Sequence, residues 1–244
     1  MEKYFKDLVI KDNIKGVKLD IGLSFNAPSS KVWLEQDPNI MVIGFEPNPD
    51  FLISVQSDGI DLRGIVSHQH NNGSLRGTII DEYINKRFFI FPIALFDVNE
   101  PTEMPFYQTE NDTGCSSIHK PTSEKFVDYK LKANVPLYSL KHFFDLFPFD
   151  KFEYIEYIKI DAQGSDLDIL ISAGDYLKEK VVYITAEPEC IDYENVSHNN
   201  EKNMEEYLIS QNFERIYNTN ARDPTFINKK FIDLKDKIFI WQQT

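Results

Sequence analysis

The sequence predicts an α/β fold: a doubly wound, mostly parallel sheet with an antiparallel hairpin at one edge. Three observations carry this prediction. Short apolar runs alternate with helical stretches over residues 16–57 and again after 150, the pattern of strand–helix–strand units. Several runs end in a carboxylate: VKLD (17–20), MVIGFE (41–46), EYIKID (156–161) and VVYITAE (181–187). The last two predicted strands have no helix between them, which suits antiparallel neighbours.

The elements follow in order. GVKLDIG (16–22) reads as a strand. PSSKVWLEQ (28–36) reads as a helix, with Pro28 in its first turn and Ser29 and Ser30 beside it. IMVIGFEP (40–47) is a strand and NPDFLISVQS (48–57) a helix. The polar stretch 58–77, rich in Gly, Asn and His, is a loop. RFFIFPIALFD (87–97) is one apolar strand, PTEMPFYQT (101–109) a more exposed strand, and NDTGCSSIHKP (111–121) a turn-rich segment. A helix starts near Ser139 within 134–148, Ser being a good N-cap. EYIEYIKIDAQG (153–164) is a strand and turn. SDLDILISAGDYL (165–177) is a helix capped by Ser165, and VVYITAEPE (181–189) a strand. EKNMEEYLISQ (201–211) is a helix, and FERIYNT (213–219) and DKIFIW (236–241) are the closing strands. There is no internal repeat and no linker, so residues 1–244 are expected to form one domain.

Composition narrows the function classes. At 42% apolar and 27% charged residues the chain is an ordinary globular protein. Its net charge of −13 argues against nucleic acid, whose backbone is bound mainly by Lys and Arg. The short basic runs at 229–230 and 235–237 are diluted by acids. Cys115 and Cys190 have neither CxxC spacing nor a neighbouring His pair, so no structural zinc site is expected and two thiols are the simpler reading. The charged N-terminus is no signal peptide and no run is long enough to span a bilayer. A cytoplasmic location is expected.

In an open parallel sheet, ligands sit outside the carboxyl ends of the strands, where strand order reverses. Asp20 with Gly22, Glu46, Asp161 with Gln163 and Gly164, and Glu187 all fall at such ends. A carboxylate there is costly to desolvate unless something accepts its charge, and the expected acceptor is one shared cationic or hydroxyl-rich ligand. Glu46 lies 24 residues after Gly22, near the offset of roughly 20 at which an acid binds ribose hydroxyls. The first loop, DIGLSFNAP, lacks the glycines a pyrophosphate needs, and Asp20 would repel phosphate. A nucleoside without phosphates but with positive charge fits, and S-adenosylmethionine is such a molecule.

The chain resembles the FkbM-type S-adenosylmethionine-dependent methyltransferases. The resemblance rests on DIG (20–22), FEPNP (45–49), PIAL (92–95), TGCSS (113–117), VPLYSL (135–140) and IKIDAQGSDLDILISAG (158–174). The last block is the most specific: the family has a strand, then D-x-E-G-x-E, then a helix. This chain departs by Gln163 and Asp166 where the family has Glu, by a less Gly-rich first loop with Asn26 at one Gly place, and by a longer segment at 58–86. The resemblance implies a Rossmann-like class I methyltransferase fold.

The cofactor-binding candidates are Asp20, Gly22, Ser24, Asn26, Glu46, Asn48, Ala94, Leu95, Ser117, Asp161 and Gln163. Glu46 is assigned to ribose, Asp20 to the cofactor amino group or the loop backbone, and Ala94 and Leu95 to a wall near adenine. The resemblance places Ser117 near the cofactor. The catalytic candidates are Asp161, Glu187 and His119. Asp161 orients the acceptor hydroxyl and takes its proton late. Glu187 holds acceptor hydroxyls or, with Asp161, a divalent ion. The sequence leaves direct base and metal open. His142 reads as packing, and His68 with His70 lack a third ligand.

The expected function is O-methylation of a small-molecule or glycan hydroxyl, a sugar first. Two rivals stand beside it. One is a dinucleotide-dependent or nucleotide-sugar enzyme on the same kind of sheet. The other is a non-catalytic domain, which predicts that the strand-end acids pack against internal Lys or Arg and that no cofactor binds.

Overall fold

The structure is a computed structural model, and it describes residues 1–6, 8–24, 27–56, 83–110, 112–122, 128–188, 191–217 and 223–238. The loop expected at 58–77, with His68 and His70, lies outside these residues, as do Asn26 and residues 239–241.

The chain begins with a single turn, α1 (Glu2–Phe5). The first two alternations follow as β1 (Gly16–Ile21), α2 (Pro28–Gln36), β2 (Ile40–Phe45), α3 (Pro49–Gln56) and β3 (Phe88–Phe91). The second half contributes β7 (Ile155–Ile160), α5 (Asp166–Ser172), α6 (Tyr176–Lys180), β8 (Val181–Ala186), α7 (Glu201–Ser210), β9 (Phe213–Ile216) and β10 (Thr225–Asn228). Between them lie β4 (Ala94–Leu95), β5 (Thr102–Thr109), β6 (Tyr129–Tyr138) and α4 (Leu140–Phe144).

Seven strands make one sheet in the order β3-β2-β1-β7-β8-β10-β9. The first five are mutually parallel, and β10 runs antiparallel to both β8 and β9. The chain leaves β1 toward β2 and β3, then returns to lay β7 on the other side. The strand order therefore reverses between β1 and β7. This is the Rossmann-like arrangement expected, with its antiparallel edge.

Burial on both faces explains why these strands read as continuous apolar runs. Every residue of β1, β2 and β8 is buried. One face, with Leu19, Ile43 and Ile158, packs on Leu140 and Phe143 of α4, Leu170 of α5 and Leu208 of α7. The other, with Val42 and Tyr157, packs on Trp33 and Leu34 of α2. No helix among the described residues is long and apolar enough to cross a membrane.

Four expectations about elements are corrected. The run at 87–97 is two strands in two sheets: Pro92 has no N–H for a ladder, so β3 stops at Phe91 and β4 joins a second sheet. That sheet, β4-β6-β5, contains β6, which was not expected, although Leu131, Ala133, Val135 and Leu137 alternate as a strand requires. The helix at 165–177 ends at Ser172, Gly174 at φ +57 turns the chain, and α6 follows. The closing hairpin is β9 with β10; residues 236–238 are turn and bend rather than strand.

The helix caps divide similarly. Ser139 caps α4 in a reciprocal box: its Oγ accepts from the His142 N–H at 3.2 Å and its own N–H donates to His142 Nδ1 at 3.0 Å. His142 is thus a capping residue. Ser165 precedes α5 but makes no side-chain cap hydrogen bond; its hydroxyl is engaged elsewhere.

Candidate active site

A cavity of about 390 Å³ opens at the carboxyl ends of β1, β2 and β7 and is roofed by the second sheet. Its size is in the range of small-molecule sites. Gly22 and Ser24 from the loop after β1, Glu46 after β2, Ala94 and Leu95 of β4, Ser117, Asp161 and Gln163 after β7, and Glu187 after β8 all line it. Nine of the residues singled out from sequence thus share one wall.

Glu46 is buried, and both its oxygens are held by backbone: Oε2 accepts from the Ser24 N–H at 3.2 Å and Oε1 from the Asn48 N–H at 2.7 Å. Each oxygen keeps a second lone pair. Burial pushes the carboxyl up to about 7, against the pull of those N–H groups. Asn48, a cofactor candidate, does not reach the cavity wall. Its Oδ1 instead accepts from the Asp50 N–H at 3.0 Å at the start of α3, so it positions Glu46 through its backbone.

Gly22 is required by its place. Its φ is +82, and a Cβ there would lie 1.9 Å from the Asp161 carbonyl oxygen. The loops after β1 and β7 therefore meet backbone to backbone at the point where strand order reverses.

Asp20 is corrected. It turns away from the cavity onto the start of α2, where Oδ2 accepts from Ser30 Oγ at 2.6 Å and the Ser30 N–H at 3.2 Å. Its Oδ1 lies 3.8 Å from Lys159 Nζ. Burial raises this carboxyl, with Lys159 and Ser30 pulling the other way. Strand parity is the reason: β1 pairs Asp20 with Lys159 of β7, so both point to the same face. Inside the protein the charge of Asp20 meets Lys159 and Ser30.

Lys159 was not foreseen. Its Nζ donates to the Gly22 carbonyl at 3.1 Å and to Asp161 Oδ2 at 3.3 Å. Burial favours the neutral amine, but the attraction of Asp161 and then Asp20 outweighs it and raises the ammonium. The same pair works on Asp161: burial pushes its carboxyl up, and Lys159, then Gln163, brings it below the usual range. Gln163 Nε2 donates to Asp161 Oδ1 at 2.6 Å, and its Oε1 accepts from the Tyr193 hydroxyl at 3.0 Å. Glu187 also hydrogen-bonds Asp161 through its side chain.

Two of the departures from the family pattern, Gln163 and Asp166, have structural answers. Gln163 supplies a donor to Asp161 that an ionised Glu could not. Asp166, though shorter than Glu, still spans the strand ends: Oδ2 accepts from the Ala162 N–H at 3.2 Å and Oδ1 from the Glu187 N–H at 3.0 Å. It is fully buried, and burial beside Asp161 raises its carboxyl well above the ordinary value.

His119 is also corrected as a direct base, because it does not line the cavity. Its Nε2 pairs with Ser165 Oγ at 2.9 Å, and burial, with His198 nearby, pushes it down to about 4. Ser165 lines the cavity, so the imidazole stands one hydroxyl behind the wall. Ser117 Oγ donates to the Gln163 carbonyl at 2.8 Å and accepts from the His119 N–H at 3.0 Å, tying the turn-rich segment to the β7 loop. Phe106, Asp112 and Cys115 join the lining without having been expected there; TGCSS (113–117) was the sequence signal for Cys115 alone.

Asp161 and Glu187 are hydrogen-bonded to each other, Lys159 sits on Asp161, and no group of three or more His, Cys, Asp or Glu among the described residues is arranged to hold a metal.

Comparison with known proteins bears on the same residues. No curated protein and no solved structure matches the chain. A family model described as the methyltransferase FkbM domain matches residues 20–215, from the acid that ends β1 to the hairpin that closes the sheet. A mostly parallel sheet, a ligand-sized cavity where its order reverses, and that match over most of the sequence lead to one conclusion: the chain belongs to the FkbM methyltransferase family.

Proposed function

We propose that this methyltransferase is a one-domain cytoplasmic enzyme. It takes the methyl group of S-adenosylmethionine and places it on the oxygen of a neutral hydroxyl, a sugar or glycan hydroxyl first. The observation that carries the reading is Glu46, held by two backbone N–H groups at the cavity wall beside Gly22 with a lone pair left on each oxygen. Two free acceptor positions on one carboxylate suit the paired hydroxyls of a ribose. The charged residues among the described lining are all acids, namely Glu46, Asp112, Asp161 and Glu187. That set favours a neutral acceptor over a polyanion.

S-adenosylmethionine, when bound, supplies a methyl carbon on a sulfonium. The protein's part is alignment and proton handling. Glu46 and the Gly22 loop hold the nucleoside end. Asp161, kept ionised by Lys159, accepts a hydrogen bond from the acceptor hydroxyl and orients its oxygen in line with the methyl group. On methyl transfer the hydroxyl proton would pass to Asp161, which Glu187 stands beside. Ala94, Leu95 and Phe106 give the cavity an apolar side that would suit the uncharged part of the cofactor.

Calorimetric titration with S-adenosylmethionine and S-adenosylhomocysteine, with and without Mg²⁺, tests the reading. Micromolar binding is expected without the metal, and a sugar acceptor screen follows. Absence of binding in every condition would refute it. A non-catalytic domain is the second reading, favoured by the packing of Asp20 and Asp161 against Lys159; it predicts that absence.

A further inference from the structure

We infer that Lys159 is a positioning residue for methyl transfer: its one ammonium ties the cofactor loop at Gly22 to the acceptor-side acid Asp161. This rests on the function proposed above and adds the device that couples its two halves.

Three contacts converge on Nζ: the Gly22 carbonyl at 3.1 Å, Asp161 Oδ2 at 3.3 Å and Asp20 Oδ1 at 3.8 Å. They belong to the ends of β1 and β7, the two strands between which the sheet reverses. The side chain is only 19% exposed, and its hydrogen bonds to Gly22 and Asp161 both stay inside the protein. Asp20 Oδ1 has no hydrogen-bond partner, which leaves Lys159 as the cation facing that oxygen among the described residues. Asp161 is crowded by further acids: Glu187 bonds it, Asp166 lies behind it in α5 and Glu46 faces it from β2. A single buried cation amid these carboxylates fixes where Asp161 points. Through the Gly22 carbonyl it also fixes the loop whose Ser24 N–H holds Glu46. The distance from nucleoside to acceptor hydroxyl is thereby set by one side chain, as in-line displacement requires.

The test is calorimetry with S-adenosylhomocysteine on the full chain, with thermal unfolding beside it. Lys159→Met should bind at least about ten-fold more weakly, because the loop loses its tie and Asp20 and Asp161 are left facing each other. Lys159→Arg should stay within about three-fold of the wild type. Asp161→Asn alone gives the reference for the double variant. Added to Lys159→Met, it should recover affinity, since it removes half of the unbalanced charge; such compensation is the mark of residues acting through each other. A folded Lys159→Met with unchanged affinity overturns the inference, and so does a double variant no better than Lys159→Met. If Lys159→Met does not fold, Lys159→Arg decides: wild-type affinity supports the positioning role, and a folded Arg variant that has lost it overturns the role. Failure of the wild type itself to bind defeats the cofactor reading, and the inference with it.

Discussion

Gln163→Glu would turn the amide that holds Asp161 into a further carboxyl beside it. The amide nitrogen of Gln163 donates to Asp161 Oδ1 at 2.6 Å, and a Glu in the same rotamer would put an acceptor oxygen there. The backbone, at φ +50, need not change. Two unit charges at that separation repel by about 6 kcal/mol at an effective dielectric of ~20, so the folded variant takes up a proton instead. The acid's folded pKa then stands above its unfolded value of about 4.3, and stability falls as pH rises, by about 1.4 kcal/mol per unit until that raised value is passed. Between pH 5.5 and 8 the ceiling is about 3.4 kcal/mol. Rotation of the new carboxylate toward water lowers this, and a loss of about 2 kcal/mol is expected. For a chain of this length that is a midpoint drop of roughly 4–8 °C. Thermal unfolding of variant and wild type at both pH values measures it. A variant whose midpoint tracks the wild type at pH 5.5 and at pH 8 would show that Gln163 is not a donor Asp161 depends on.

Other expectations follow from the same geometry. Because burial holds the Glu46 carboxyl at about 7, S-adenosylhomocysteine should bind about ten-fold more tightly at pH 8 than at pH 6, as the ionised fraction rises; titrations at the two pH values measure this, and Glu46→Ala should bind weakly at both. Gly22→Ala would drive a methyl group into the Asp161 carbonyl, 1.9 Å from its ideal position; at least about 3 kcal/mol of stability should be lost in urea unfolding. Asp166→Ala would strand the Ala162 and Glu187 N–H groups, costing about 3 kcal/mol in the same assay. Asp161→Asn should keep cofactor affinity and lose turnover once an acceptor is found; a fully active variant would remove it from the mechanism.

The buried parallel strands β2 and β8 were legible because burial on both faces leaves an apolar run. β1 and β7 were legible from their apolar residues although Lys18, Asp20, Glu156 and Lys159 interrupt them, and α2 was readable from Pro28 and the serines beside it. The place of Glu46 at the cavity wall was legible too, because its offset from Gly22 is a property of chain length along a strand–helix–strand unit. Asp20 was misplaced because a sequence shows that an acid ends a strand but not which face it takes or what stands opposite. Only the pairing of Asp20 with Lys159 across β1 and β7, 139 residues apart in the chain, decided that its charge is answered internally. The same holds for His119, whose place behind Ser165 depends on a loop crossing to the start of α5. Sequence fixed the local periodicity, the strand-end chemistry and the family pattern, all of which are written in neighbouring residues. The tertiary structure decided which carboxylates meet a cation and which meet the cavity, because those are contacts between distant strands whose register no local pattern encodes.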